Sequence, residues 1–415
     1  MTIPTFRDVD EQVGSILTGQ GGLAAILVDL EPLARIERSF GGAAYLGLRA
    51  QIDPLMGEMK ERFREGDLLT RDEREGDRFM LFLGGRRDKA EDFRAADLRM
   101  LADRVEEFLT PRVARLTLPY LRERPILHVG YGLVIHSPLE SHERQILRLI
   151  EEALASADLR HRLRDRDQRE GLVEIIYNRS LWTAFQPIVE IETRQIVGHE
   201  GLSRGPRGTD LEAPMALFGL AARHGLVEEL ERSCRRQAFV DWEVFGGTGR
   251  LFVNTVPATV RDPSFLGRGV LDYLGDRISP RFVTLEITER QVIENLNLYR
   301  EAMHSFIELG FSFAIDDVGA GYSGLETIAS LGATYLKIDM ALVRDVHQKP
   351  ISQQVVKAIL DMGAGVGATV IAEGIQTVEE AEAIQKLGIR YGQGYLFARP
   401  IDPYAPKKVV TRGAG

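Results

Sequence analysis

The sequence predicts an α/β protein with an N-terminal α/β domain and a C-terminal TIM-like (β/α)8 barrel. Three observations predict it. The chain has 415 residues, more than a usual single domain holds. From FQPIVEI onward, strand-like and helical patterns alternate with regular spacing, as a barrel of parallel strands requires. Six apolar runs in that half end in groups able to hold or serve a metal ion: Glu200, Asn254, Glu286 with Glu289, Asp316 with Asp317, Lys337 and Glu373. An open sheet concentrates its ligands at one switch point. Scattering over six strand ends favours closure, because strand ends on one barrel rim converge.

Each element follows from its pattern. In the first half, LAAILVDL (23–30), DRFMLFLG (77–84) and ILHVGYGLVI (126–135) read as strands. EDFRAADLRMLADRVEEFL (91–109) has apolar residues at helical spacing, and residues 140–179 share that periodicity. The charge-dense stretch DLRHRLRDRDQRE within 140–179 mixes both signs, which suits a solvated helix face joining two domains. The boundary falls near residue 168, giving domains 1–167 and 168–408 and a short tail, 409–415. Helices are expected over 214–243, 298–310, 352–367 and 377–388.

Composition narrows the classes. The 44% apolar and 27% charged content is that of an ordinary soluble protein. No apolar run reaches the roughly 20 residues that span a bilayer. MTIPTFRDVDEQ lacks the basic start and apolar core of a signal peptide, so a cytoplasmic protein is expected. The single cysteine, Cys234, rules out an internal disulfide and sits in an amphipathic segment as a buried structural thiol. A net charge of −9 argues against nucleic-acid backbone as a partner. It leaves room for a small anion if bound cations invert the local field. Taken singly, each strand-end residue could cap a helix or face solvent. Adjacent Asp316 and Asp317, however, cost energy without a cation. Hard oxygen ligands with so few histidines point to magnesium or manganese, ions that mostly serve phosphate chemistry.

The motifs FQPIV, HEGLSRGP, FVN, LEITE, IDDVGAGYSGL, YLKID, IAEGIQT and GQGYLFARP resemble the EAL family of cyclic di-GMP phosphodiesterases. The resemblance implies a barrel with one altered strand direction near its start. It implies two Mg2+ or Mn2+ ions and hydrolysis of cyclic di-GMP to linear pGpG, with a noncatalytic cyclic di-GMP receptor as the alternative. Carried over, Glu200, Asn254, Glu286 and Asp316 are expected to bind the first ion, and Asp316 with Asp317 the second. Lys337 and Glu373 would position and deprotonate the attacking water, and Glu289 would steady the DVGAGYS loop. Gln186, Leu202, Arg204 and Gln393 are the expected substrate contacts. Homodimerisation through the barrel is also implied.

The chain departs from the family pattern at Gly201, Val256, Val318 and Gln376. The last stands where the family carries a second glutamate and is expected to weaken activity. Residues 1–165 resemble, more weakly, the GGDEF domain that makes cyclic di-GMP from GTP, on LVDLEPLARIERSFG, EGDRF and VGYGLVI. Glu75 and Arg78 spoil the signature, the latter reversing a metal-binding charge. A regulatory domain is expected, open to GTP or a protein partner. Arg64-Glu65-Gly66-Asp67 has the form of that family's product site but reads as an exposed helix end.

Overall fold

The computed structural model describes residues 3–72, 77–84, 95–121, 127–255, 262, 265, 269–290, 303–319 and 332–405. The sequence positions Glu75 and Val256, the loop beyond Gly319 and the tail 409–415 lie outside them. The chain divides into two compact units, Met1–Gln168 and Arg169–Gly415.

The first unit holds a four-stranded antiparallel sheet of β1 (Gly22–Asp29), β2 (Leu68–Arg71), β3 (Arg78–Leu83) and β4 (His128–Ile135), in the order β2-β3-β1-β4. Side chains alternate along β1. Ile26 and Val28 pack with Leu33, Ile52 and Val105 on one face, while Ala25 and Leu27 pack with Leu17, Ile146 and Leu149 on the other. Helices thus cover both faces, which is why β1 reads as an unbroken apolar run. β2 was not expected: LLTR is short and ends in a charge, and its pairing with β3 makes it a strand. At Gly130 an added Cβ would lie 2.1 Å from the Ala153 carbonyl oxygen. Glycine there lets the helix His142–Asn178 approach β4 closely.

The second unit is a closed barrel of β5 (Trp182–Glu190), β6 (Ile196–Arg204), β7 (Arg250–Asn254), β8 (Val283–Thr288), β9 (Ser312–Val318), β10 (Tyr335–Ile338), β11 (Thr369–Ala372) and β12 (Tyr391–Gln393). β5 runs antiparallel to both its neighbours, β6 and β12, and the remaining neighbours pair in parallel. The expected helix 214–243 is two helices, Pro214–His224 and Val227–Phe245, broken at Gly225 in the left-handed region (φ 65°). Periodicity alone could not show the break, since both halves keep an apolar face.

Alternation sorts the barrel strands into an outer and an inner set. Leu251, Val253, Leu285, Ile287, Phe313 and Ile315 join the main core. Ile188, Phe252, Ala314 and Ile371, with Tyr335 and Tyr391, form a separate apolar cluster. Burying each large side chain there contributes about 1.5–3 kcal/mol. That cluster fixes the polar layer beside it. Two residues after Phe252, Ala314, Tyr335, Ile371 and Tyr391 come Asn254, Asp316, Lys337, Glu373 and Gln393. On the reversed strand the offset changes sign, and Gln186 comes two residues before Ile188.

Candidate active site

The polar layer is built around one ammonium. Lys337 is 0% exposed, and its Nζ lies 2.6 Å from Glu286 Oε1 and 2.5 Å from Glu373 Oε1. It lies 3.4 Å from both Glu200 Oε2 and Asp316 Oδ1. These are ion-pair distances without hydrogen-bond alignment. Lys337 Nζ, both Glu286 oxygens and Glu373 Oε1 are buried without a hydrogen-bond partner.

Amides complete the layer. Glu200 accepts from Asn254 Nδ2 at 3.3 Å through Oε1, and from Gln393 Nε2 at 2.6 Å through Oε2. Gln393 Nε2 also donates to Gln186 Oε1 at 3.1 Å, and Gln186 Nε2 donates to the Ala398 carbonyl at 3.1 Å. Gln186 and Gln393 are themselves buried. Arg204 lies further along β6, where its Nη1 donates to the Leu202 and Ser203 carbonyls at 3.3 and 2.9 Å. Leu202 is part-exposed beside it.

Carboxylate oxygens come together in two groups: Glu200, Glu286 and Asp316, and Asp316, Asp317 and Glu373. Asp316 belongs to both. Asp317 follows it in the left-handed region (φ 58°), and its N–H donates to Asp316 Oδ1 at 3.0 Å. A non-glycine residue there is strained, and such strain clusters at functional sites. Glu289 Oε2 accepts from the Gly319 N–H at 3.1 Å, so it holds the start of the glycine-rich loop. Val318, where the family carries a ring, is fully buried.

The electrostatics are those of a site short of positive charge. Burial, with Lys337 opposing, pushes the Glu286 carboxyl well above its usual range. Burial, then Asp316, does the same to Glu373. Asp317 is pushed up to about 6 by burial, by Asp316 and by a hydrogen bond shared with Asp339. Burial works against the Lys337 ammonium, but the surrounding carboxylates outweigh it and hold its pKa well above normal. Five carboxylates face one ammonium, and buried charge left unpaired is costly. Divalent cations would invert this balance. The Glu286 oxygens, which have no hydrogen-bond partner, and the all-oxygen donor set fit hard metal ions.

Gln376, whose lost charge was expected to weaken activity, is exposed, and its Oε1 accepts from Arg344 Nη1 at 2.5 Å. The side chain serves a surface contact. Gln376→Glu should therefore leave divalent-ion affinity within about fivefold of the native value, since exposed pairs are worth at most about 1 kcal/mol. Calorimetric titration checks this. Asp67 is not at an exposed helix end: it is buried and accepts from the Arg64 and Gly84 N–H groups at 3.0 and 2.8 Å. Cys234 is buried, and burial pushes its thiol up to about 12. In the first unit, Arg78 Nε donates to Asp29 Oδ2 at 2.7 Å.

Eight strands closing around a carboxylate layer define a barrel whose mouth carries groups that could hold a metal ion. Residues 168–400 match the EAL domain, more than half of the chain, and the chain belongs to that family. Over 154 residues it is 36% identical to the probable cyclic di-GMP phosphodiesterase PdeA of Escherichia coli, covering 36% of this chain and 21% of PdeA. Over 223 residues it is 30% identical to the cyclic di-GMP phosphodiesterase PA2567 of Pseudomonas aeruginosa, covering 53% of this chain and 38% of that protein. The chain thus spans well under half the length of these relatives. The Xanthomonas citri FimX EAL domain, solved in complex with c-diGMP, shares the fold with a TM-score of 0.52 at 20% identity, covering 58% of this chain and 95% of that one. No described helix is long and apolar enough to cross a membrane.

Proposed function

We propose that this chain hydrolyses cyclic di-GMP to linear pGpG, using two divalent ions of the magnesium or manganese type. The observation that carries the reading is the pair of carboxylate groups sharing Asp316 around a buried lysine. Glu200, Asn254, Glu286 and Asp316 would hold one ion, and Asp316 with Asp317 the other. Bound there, the ions supply positive charge that acidifies water and offsets the phosphodiester's negative charge.

The chain's own groups do the rest. Arg204 offers a guanidinium fork for a substrate phosphate, and Leu202, Gln186 and Gln393 border the same strand ends. Glu373 accepts the proton of the attacking water, and Lys337 fixes Glu373 at 2.5 Å. Water oxygen bonds to phosphorus, the bond to the ribose 3′ oxygen breaks, and the leaving oxygen takes a proton. Glu289 keeps the loop after Asp317 in place through Gly319.

The first unit fits a regulatory role without cyclase chemistry, because Arg78 occupies the carboxylate of Asp29. A nucleotide such as GTP or a protein partner is the class of input proposed for it.

Purified protein with cyclic di-GMP and manganese should release pGpG, followed by chromatography. Glu200→Ala should lower that rate by at least about 10²-fold, since a lost ligand undoes the ion's clamp. Tight binding without turnover across both metals would replace the enzyme with a receptor.

A further inference from the structure

The barrel mouth carries a second polar network, away from the carboxylates. Arg207, in the loop after β6, makes a two-armed ion pair with Asp402, and its Nη2 lies 2.7 Å from Oδ1. The guanidinium also sits 4.1 Å from the Trp182 ring centroid and 5.7 Å from that of Tyr404. Tyr404 donates its hydroxyl to Asp241 Oδ1 at 2.5 Å and its N–H to Asp402 Oδ1 at 2.8 Å. Asp241 is 0% exposed and also accepts from the Thr183 N–H at 2.7 Å and Gln237 Nε2 at 2.8 Å. A buried carboxylate with three donors is a fixed anchor.

We propose that the segment Ala398–Tyr404 is a clasp that positions Arg204 and Glu200 for substrate, fastened by Arg207 and Asp402. Its two ends reach both groups. Trp182, under the Arg207 guanidinium, is the register partner of Arg204 across β5 and β6, and Thr183 is that of Ser203. The loop after Arg204 closes on itself, with the Gly205 N–H donating to the Glu212 carbonyl at 3.1 Å. Arg207 ties this loop to the C-terminal segment through Asp402. At the other end, the Ala398 carbonyl accepts from Gln186. Gln393 then bridges Gln186 to Glu200. Between the ends, Ile401 and Phe185 exchange two backbone hydrogen bonds of 2.8 and 2.9 Å.

An exposed ion pair alone is worth little. Bidentate geometry and stacking on an indole raise its value and its directionality. Arg207 and Asp402 are positioning residues: they act through Arg204 and Glu200. This inference rests on the proposed hydrolysis of cyclic di-GMP.

The test uses the full chain. Arg207→Ala and Asp402→Asn should each raise KM for cyclic di-GMP about fivefold while kcat stays within about twofold, as lost ground-state positioning predicts. Arg207→Lys should recover only part of the loss, because it keeps the charge and loses the fork. The emission of Trp182, one of two tryptophans, should shift in Arg207→Ala. Tyr404→Phe, which removes only the hydroxyl on Asp241, should show the same split if Arg207→Ala folds poorly. Unchanged KM in these variants, or a fall in kcat alone, overturns the clasp. A native chain that neither binds nor cuts cyclic di-GMP overturns the proposed function as well. That result differs from a clasp that fails alone, in which the native chain works and its variants match it.

Discussion

Glu286→Gln should abolish turnover of cyclic di-GMP while making the metal-free protein more stable. Glu286 is 1% exposed, and neither of its oxygens has a hydrogen-bond partner. In the absence of ions burial disfavours its ionised form, whose charge would add to a layer already rich in carboxylates, with Lys337 2.6 Å away as its main compensation. Glutamine keeps the shape and removes that charge. Lys337 retains Glu200, Asp316 and Glu373 as partners, so the ammonium is not stranded. Relief of buried like-charge repulsion should raise metal-free stability by about 1 kcal/mol. The same change removes a proposed metal ligand from the group Glu200, Glu286 and Asp316. Turnover should fall by about 10³-fold or more, equivalent to about 4 kcal/mol of barrier. Added manganese should stabilise the variant less than the native protein. Urea unfolding in chelator and in manganese, run beside pGpG release, reads both effects. A variant that loses stability in chelator, or retains turnover, contradicts the charge account.

Lys337→Met acts in the opposite sense on stability. Lys337 is the ammonium at the centre of this layer, wholly buried. Its loss leaves Glu200, Glu286, Asp316 and Glu373 without their shared counter-charge. Breaking a buried pair from one side costs about 3–5 kcal/mol, and that loss is expected in chelator at neutral pH. The deficit should shrink as pH falls. Without Lys337, which opposes the upward shift that burial gives Glu286 and Glu373, both should hold their protons to higher pH than in the native protein. A folded state that binds protons more tightly than the unfolded chain gains stability as pH decreases. Manganese should restore part of the loss by supplying the missing positive charge. Turnover should stay low even then, since Glu373 loses the group that fixes it. Equal stability of variant and native protein in chelator would show that the carboxylates are already neutralised by other means.

Both predictions concern residues that could be named from the chain before any fold was known. LEITE and YLKID end strand-like runs, and a carboxylate or lysine at such an end is visible in one dimension. The antiparallel β5 followed from family resemblance, since no local pattern in FQPIVEI sets the direction of its neighbours. Gln376 shows the reverse. Family pattern marks it as a lost charge near Glu373, yet three residues past Glu373 the chain has left the strand, and the side chain turns to Arg344. Asp67 shows it again, buried by contacts with Gly84 across a turn. The short strand β2 escaped detection because four residues with a terminal arginine carry too little pattern.

What the sequence by itself determined is alternation. Phe252, Ala314, Tyr335 and Ile371 each precede a polar group by two residues, so any strand that buries the first must point the second to the same face. That rule needs no knowledge of neighbours. Only the tertiary structure decided which groups meet. Lys337 finds Glu200 across the barrel, Gln393 reaches Glu200 over 193 residues of chain, and Arg207 finds Asp402 over 195. Such pairings depend on closure and stagger of the strands, set by the packing of the whole barrel. No window of sequence contains that information, because each contact is formed by segments that are strangers along the chain.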